Sequence, residues 1–292
     1  MKAVGLIGLG LVGTALAEKY IASGFHVIGY DIIDAKIEHL ERIGGKGAAS
    51  PAAVANQVNS ILLSLMTSDI VQDVIEGENG IIYANNTPRL IIDTTTGDPE
   101  KTTWLANALL ERGIVYVDAP VAGSSKQIRN GEGVFMIGGS PEAFQMAKEL
   151  LGVVSKQVIH VGGSGAGSRA KLVVNLVLGL NRLVLAEGLV FAEKVGLDPA
   201  KALELFAVTP AYSRAIDAKG AKMVRGDFSP EARLSQHLKD VHQILAMARH
   251  VGQQLPLSEI HHELLERAVA AGDGDLDNSA VIKIMRQLVD DS

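Results

Sequence analysis

The chain has 292 residues, 47% of them hydrophobic, enough to bury a sizeable core and to build two domains of ordinary size. A formal net charge of -6 with no block of like charges argues against a dedicated nucleic-acid or anionic-membrane binder and points to small-molecule partners. The absence of cysteine excludes a disulfide framework, a thiolate metal site and a thiol nucleophile, and fits a cytoplasmic protein.

Residues 3–9 form an apolar run of strand type, "GLGLVG" follows at 8–13, and helical character begins at Thr14. The order strand, glycine turn, helix is that of a dinucleotide-binding unit. Its first glycine permits the tight turn, its second lets backbone approach a pyrophosphate, and its third allows close helix packing with the positive helix end facing the phosphates. A competing reading takes Lys2, the apolar run and the Ala-x-Ala triplet at 15–17 as a weak secretory signal. Gly8, Gly10 and Gly13 are placed for a turn rather than for membrane helicity. A second strand, "HVIGYD", ends in Asp31, about 20 residues on, where a carboxylate accepts both hydroxyls of an adenosine ribose. Such a carboxylate repels a 2′-phosphate, and Ile32 and Ile33 offer no guanidinium, so NAD is expected over NADP. Lys36 and Arg42 remain as alternative basic contacts, and the bland reading is that Asp31 only ends a strand.

Further short apolar segments at 60–65, 89–94, 114–120, 133–139 and 157–162 alternate with helical patterns. This predicts an α/β fold with a Rossmann-type, doubly wound, mostly parallel sheet. The composition shifts after residue 163, giving an expected dinucleotide-binding domain at 1–163 and an all-helical substrate and oligomerisation domain at 164–292. The apolar stretch at 172–180 is interrupted by Asn175 and flanked by Arg169, Lys171 and Arg182. It falls short of the roughly 20 clean residues of a membrane span and is expected to be a buried core helix. The helix predicted from Ala166 to about Val195 has more apolar perimeter than a small domain covers, so a homodimer or homotetramer is expected. Residues 162–167 are a candidate hinge, and 271–280 are expected to be a loop.

In sheets of this kind ligands bind beyond the carboxyl ends of the strands. "DTTTGDP" (93–99) offers the hydroxyls of Thr95 and Thr96 there, and "DAPVAGSSKQIRNGEG" (118–133) offers open backbone N–H groups at Ala122, Gly123 and Ser124. Each reads equally as a capped turn. In "GSGAGSRAKLVVN" (163–175), Lys171 and Asn175 stand four residues apart and share a helix face. Such a lysine can also simply snorkel to solvent.

These motifs, together with "GLIGLGLVG" and "HLKDV", resemble the β-hydroxyacid dehydrogenases, the group that includes 3-hydroxyisobutyrate dehydrogenase and tartronate semialdehyde reductase, over nearly the whole chain. The resemblance implies a Rossmann domain joined to an all-α domain, with Lys171 catalytic and Asn175 beside it. It implies substrate binding at Thr95, Ala122, Gly123 and Ser124. Cofactor contacts are implied at Gly8, Gly10, Leu11, Val12, Gly13, Asp31, Leu65, Thr96 and Lys239. One departure stands out: the family's loop reads like DAPVSGG, whereas this chain has Ala122 and Ser124. The expected reaction is reversible hydride transfer between nicotinamide and a small semialdehyde acid. Lys171 is its acid or base, brought from an unperturbed pKa of about 10.4 toward neutrality by burial and a nearby cation such as Lys239. Lys126 and Arg129 either meet a second anionic group or form a solvated loop surface. The alternatives are an imine reductase or 6-phosphogluconate-type dehydrogenase on the same architecture, or a non-catalytic NAD-binding module. No metal site is expected: the eight histidines show no ligand spacing, and the adjacent His261 and His262 are expected on a helix surface.

Overall fold

The computed structural model describes residues 2–288; residues 289–292, the end of the predicted helical domain, lie outside them. The chain forms two compact units, Met1–Lys171 and Leu172–Ser292. The division falls eight residues after the shift in composition at 163.

In the first unit the order is β1 (Ala3–Ile7), α1 (Leu11–Ala22), β2 (His26–Tyr30), α2 (Asp34–Arg42), β3 (Lys46–Gly47), α3 (Pro51–Ala55), β4 (Ser60–Leu63) and α4 (Ser68–Glu76). It continues with β5 (Leu90–Asp93), α5 (Pro99–Leu110), β6 (Val115–Asp118), β7 (Val121–Ala122), α6 (Ser125–Arg129), β8 (Val134–Gly138), α7 (Pro141–Val154) and β9 (Gln157–Gly162). The strands form one sheet in the order β3-β2-β1-β4-β5-β6-β8-β7, with β9 paired to β8. From β3 to β6 every pairing is parallel, as is β8 with β9. Strand β8 runs antiparallel to β6 and β7. Only the five-residue α6 lies between β7 and β8, and so short a connection leaves no room for the crossover that a parallel pair needs.

Successive strand residues serve opposite faces of the sheet. Leu6, Leu62, Ile92 and Val117 pack with Leu16, Tyr20 and Phe135 on one face. Ile7, Ile61, Leu63, Ile91 and Tyr116 pack with Val54, Ile75 and Leu105 on the other. A sheet covered on both sides explains why the strands read as unbroken apolar runs rather than alternating ones. Side-chain caps start α3 (Ser50), α4 (Thr67), α5 (Asp98) and α7 (Ser140).

The second unit is helical. Helix α8 (Ala166–Lys194) starts before the division and continues through it, and is followed by α9 (Pro199–Val208), α10 (Ala221–Arg225), α11 (Leu234–His250), α12 (Pro256–Ala268) and α13 (Val281–Gln287). By length and composition alone α8 could cross a membrane. Its inner side, with Leu185, Ala186, Leu189 and Val190, is buried in the unit's core beside Leu234, Val241, Leu265 and Ile282, whereas the stretch expected to be buried, 172–180, is only partly so, with Val173, Val177 and Leu178 exposed. Its other side leaves Val173, Val177, Val184 and Phe191 exposed.

The segment expected as a loop at 271–280 instead carries π-type turns at Val269–Asp273 and a 3-10 turn at Asn278–Ala280. Asp277 organises it. Fully buried, Asp277 accepts from Ser279 N–H (3.1 Å) and Oγ (2.7 Å), from Glu231 N–H (3.0 Å) and Ala232 N–H (3.2 Å), and from Lys219 Nζ (2.9 Å). Burial pushes its carboxyl up, but Lys219 and these hydrogen bonds outweigh it and hold the group below the ordinary carboxylate value. A depressed folded pKa gives stability that is present above the unfolded value and lost as pH falls through the folded one. Asp277→Ala removes the nearer of two carboxylates that meet Lys219, leaving Glu231 Oε2 at 3.4 Å, and costs about 1–3 kcal/mol at neutral pH through the buried groups it leaves unsatisfied; the loss shrinks below about pH 4, read by urea unfolding at pH 7 and pH 3.

Candidate active site

The carboxyl ends of β1, β2, β4, β5 and β6 collect most of the residues singled out in the sequence. After β1, Gly8 takes φ +91° and lies so close to α1 that a Cβ at Gly13 would sit 1.9 Å from its carbonyl oxygen. Only glycine permits this approach. A Cβ at Gly10 would meet nothing within 4 Å, so the turn is open above it. Unlike the helices capped by Ser, Thr or Asp, α1 has no side-chain cap and no acidic residue in its first turn. The N–H groups and positive end of α1 are thus left facing open space beside Gly10 and the half-exposed Leu11, which is what a diphosphate requires.

At the end of β2, Asp31 accepts from Leu9 N–H at 2.7 Å and Ile33 N–H at 3.0 Å, with Lys36 Nζ at 3.3 Å. The first of these bonds ties the Asp31 carboxylate to the glycine turn. Lys36, an alternative basic contact in the sequence, is paired with Asp31 here. After β4 and β5, Leu65 N–H donates to Thr95 Oγ1 at 3.1 Å, joining a predicted cofactor residue to a predicted substrate residue. Thr96 follows, half-buried.

Beyond β6, the backbone at Gly123 takes φ +148°. Ser124 differs from expectation: its N–H is not open but donates to Gln127 Oε1 at 2.8 Å, and its Oγ accepts from Gln127 N–H at 3.3 Å. This reciprocal box starts α6. The Ser-x-x-Gln spacing that signals it is present in the sequence. Arg129 pairs with Glu18 Oε2 at 2.5 Å, which ties the loop to α1.

Lys171, half-buried, is the last residue of the first unit. In the second unit, buried Asn175 donates from Nδ2 to Asp240 Oδ2 at 2.8 Å, and Lys239 Nζ lies 3.5 Å from Asp240 Oδ1. Asp240, overlooked in the sequence beside Lys239, fixes which way the Asn175 amide faces.

His261 is not a surface residue: it is buried, and burial, then Arg182, then His262 lower its pKa to about 4. His262 is half-buried and groups with His242 and Glu266. His262 Nε2 lies 3.1 and 3.3 Å from the two nitrogens of His242, edge to face.

The family described as the NAD binding domain of 6-phosphogluconate dehydrogenase matches residues 3–162, and that described as NAD-binding of NADP-dependent 3-hydroxyisobutyrate dehydrogenase matches residues 165–285. The chain belongs to the β-hydroxyacid dehydrogenase family. It is 33% identical to 2-(hydroxymethyl)glutarate dehydrogenase of Eubacterium barkeri over 98% of this chain and 95% of that one. It is 29% identical to 2-hydroxy-3-oxopropionate reductase of Escherichia coli strain K12 over 97% and 96%. A solved 3-hydroxyisobutyrate dehydrogenase from Salmonella typhimurium superposes with a TM-score of 0.88 at 26% identity, covering 97% of this chain and all of that one. The protein is an NAD(P)-dependent β-hydroxyacid dehydrogenase, and the expected fold class and cofactor type hold.

Two further carboxylates at strand ends escaped the sequence reading. Asp93, on β5, accepts from Thr95 N–H at 2.9 Å and from Tyr116 Oη at 2.6 Å. Burial raises its pKa to about 6, against the lowering effect of those bonds, and Asp118 adds to the rise. A raised folded pKa gives stability that is present below the unfolded value and lost as pH rises through the folded one. Between pH 4 and 6 this group alone removes about 3 kcal/mol. Asp93→Asn, which keeps the shape without the charge, flattens stability across that window in urea melts taken at stepped pH.

Proposed function

We propose that this dehydrogenase acts reversibly on a small β-hydroxyacid and its semialdehyde, with Lys171 as the proton donor and acceptor and NAD preferred to NADP. The observation that carries the reading is one sheet edge holding an uncapped glycine turn, Asp31 and the Thr95–Leu65 pair, with Lys171 within the same compact unit. Gly8, Gly10, Leu11, Val12 and Gly13 would hold the diphosphate, Asp31 the ribose, and Leu65, Thr96 and Lys239 the rest of the cofactor. When bound, the nicotinamide supplies a hydride to the carbonyl carbon in reduction and accepts it in oxidation. Lys171 Nζ gives its proton to the oxygen as it becomes an alkoxide, and takes it back in the reverse direction. Asn175, one turn along α8 and oriented by Asp240, positions the hydroxyl or carbonyl oxygen. Thr95 and the backbone at Ala122 and Gly123 receive the carboxylate. The Ser124 N–H already serves Gln127, so this chain leans on Thr95 and Gly123 for that grip.

The test is oxidation of NADH and of NADPH across three- to five-carbon semialdehydes, beside Lys171→Ala. Turnover on one member, faster with NADH and reduced about 10²- to 10⁴-fold in the variant, is expected. Full turnover by Lys171→Ala ends the assignment of the lysine.

The same reading extends to self-association. Val177, Val184 and Phe191 are exposed at a spacing of seven on α8, the period of a packed helix seam, and a two-fold pair buries identical stripes on both copies. Val184→Glu with Phe191→Glu is expected to shift sedimentation to the monomer; a monomeric parent protein would refute the seam.

A further inference from the structure

Helix α8 is held at its start by a residue from elsewhere in the chain. Asp118, the last residue of β6, is 1% exposed. Its Oδ1 accepts from Gly165 N–H at 2.9 Å and its Oδ2 from Ser168 N–H at 2.7 Å. These N–H groups lie at the helix start, where the backbone has no intrahelical partners and the helix end carries positive partial charge. Two glycines complete the joint. A Cβ at Gly138 would lie 2.4 Å from Asp118 Oδ1, and one at Gly167 would lie 2.4 Å from Met136 O and 2.6 Å from Asp118 O. Helix, strand β6 and strand β8 therefore meet at backbone-to-backbone distance around one carboxylate.

A helix cap needs no such arrangement. Ser50, Thr67, Asp98, Ser140 and Asp198 each cap the helix that immediately follows them. Asp118 is 47 and 50 residues from its donors. A local cap fixes where a helix begins, whereas a remote one fixes where the helix stands relative to another element. What lies on either side of this joint is the chemistry: Lys171 comes three residues after Ser168, and the loop of Ala122, Gly123 and Ser124 begins four residues after Asp118.

We propose that Asp118 is the positioning residue of the dehydrogenase, registering the first turn of α8, and with it Lys171, against the substrate loop that leaves β6. The inference rests on the proposed role of Lys171. It makes the buried carboxylate a part of the reaction geometry without touching substrate or cofactor.

Asp118→Asn keeps the shape but turns an amide N–H toward one of the two helix N–H groups. The expected result is a folded protein with NADH affinity, by fluorescence titration, within about twofold of the parent. Its kcat falls about 10- to 100-fold, as a displacement near 1 Å produces. The limb of the kcat–pH profile that Lys171→Ala abolishes moves to lower pH, because the positive helix end is no longer compensated. Ser168→Pro removes one of the same bonds from the helix side, in the first turn where proline is tolerated; it is expected to lower kcat likewise but to leave the pH limb in place, because the Asp118 charge remains. Whichever variant folds reads the inference. A variant that loses thermal stability alone, with kcat and its pH profile unchanged, shows an ordinary structural cap and overturns it. If Lys171→Ala is fully active, the functional reading fails first. If Lys171→Ala is inactive while Asp118→Asn keeps the parent profile, only the positioning role fails.

Discussion

The constraint on which the first unit depends is that a parallel sheet exposes its functional end as a row of chain exits, each of which must be held in place. The backbone leaves the ladder there with N–H groups that no strand satisfies. This protein holds them with aspartates. Asp31 ends on Leu9 and Ile33, Asp93 on Thr95 and the hydroxyl of Tyr116, and Asp118 on Gly165 and Ser168. Asp31 and Asp118 reach from their strands to distant backbone at Leu9 and at the start of α8, while Asp93 and the second oxygen of Asp31 brace their own turns, so the chain exits are held by charge-assisted bonds both local and remote.

That bracing has an electrostatic cost which is uneven across the row. Asp93 and Asp118 are direct cross-strand partners on β5 and β6 and are both deeply buried. Burial raises both, and Asp118 raises Asp93 further. The sheet tolerates two neighbouring carboxyls because each serves a different backbone: Asp93 the Thr95 turn, Asp118 the start of α8. Asp31, at the rim, lies 3.3 Å from Lys36 Nζ.

What was legible in the sequence follows from which physical signals are local. The glycine turn, Asp31 and seven of the strands announce themselves through contiguous apolar runs and φ-positive glycines, and observed strand ends fall within two residues of expectation. The two-residue strands β3 and β7 are too short to carry a pattern. The antiparallel placement of β8 depends on the length of a connection rather than on the strand's composition. The later division after Lys171 was hidden because the Asp118 bonds that fold the first turn of α8 with the sheet span 47 and 50 residues. The engagement of Ser124 with Gln127 was readable in principle, since a Ser-x-x-Gln box is a local motif. It lay inside a loop read for anion binding instead.

The misreading of His261 has a different origin, and it shows how the second unit keeps a buried cation. A Cβ at Gly179 would stand 2.6 Å from His237 Nε2 and 2.7 Å from His261 Cε1, so the missing side chain on α8 is what admits both rings to the interior. Arg182, one turn farther on, is buried as well, and burial lowers its pKa to about 10 despite Asp277 and Asp240. Burial first, and then the neighbouring Arg182 charge, drive His261 to the neutral form. The guanidinium is therefore left to face the two aspartates without competition from His261. Asp240 is also the acceptor that orients Asn175. A glycine in an apolar helix thus makes room for two buried rings, and the aspartate that sets the Asn175 amide lies within 3.5 Å of Lys239 and in the field of the buried Arg182.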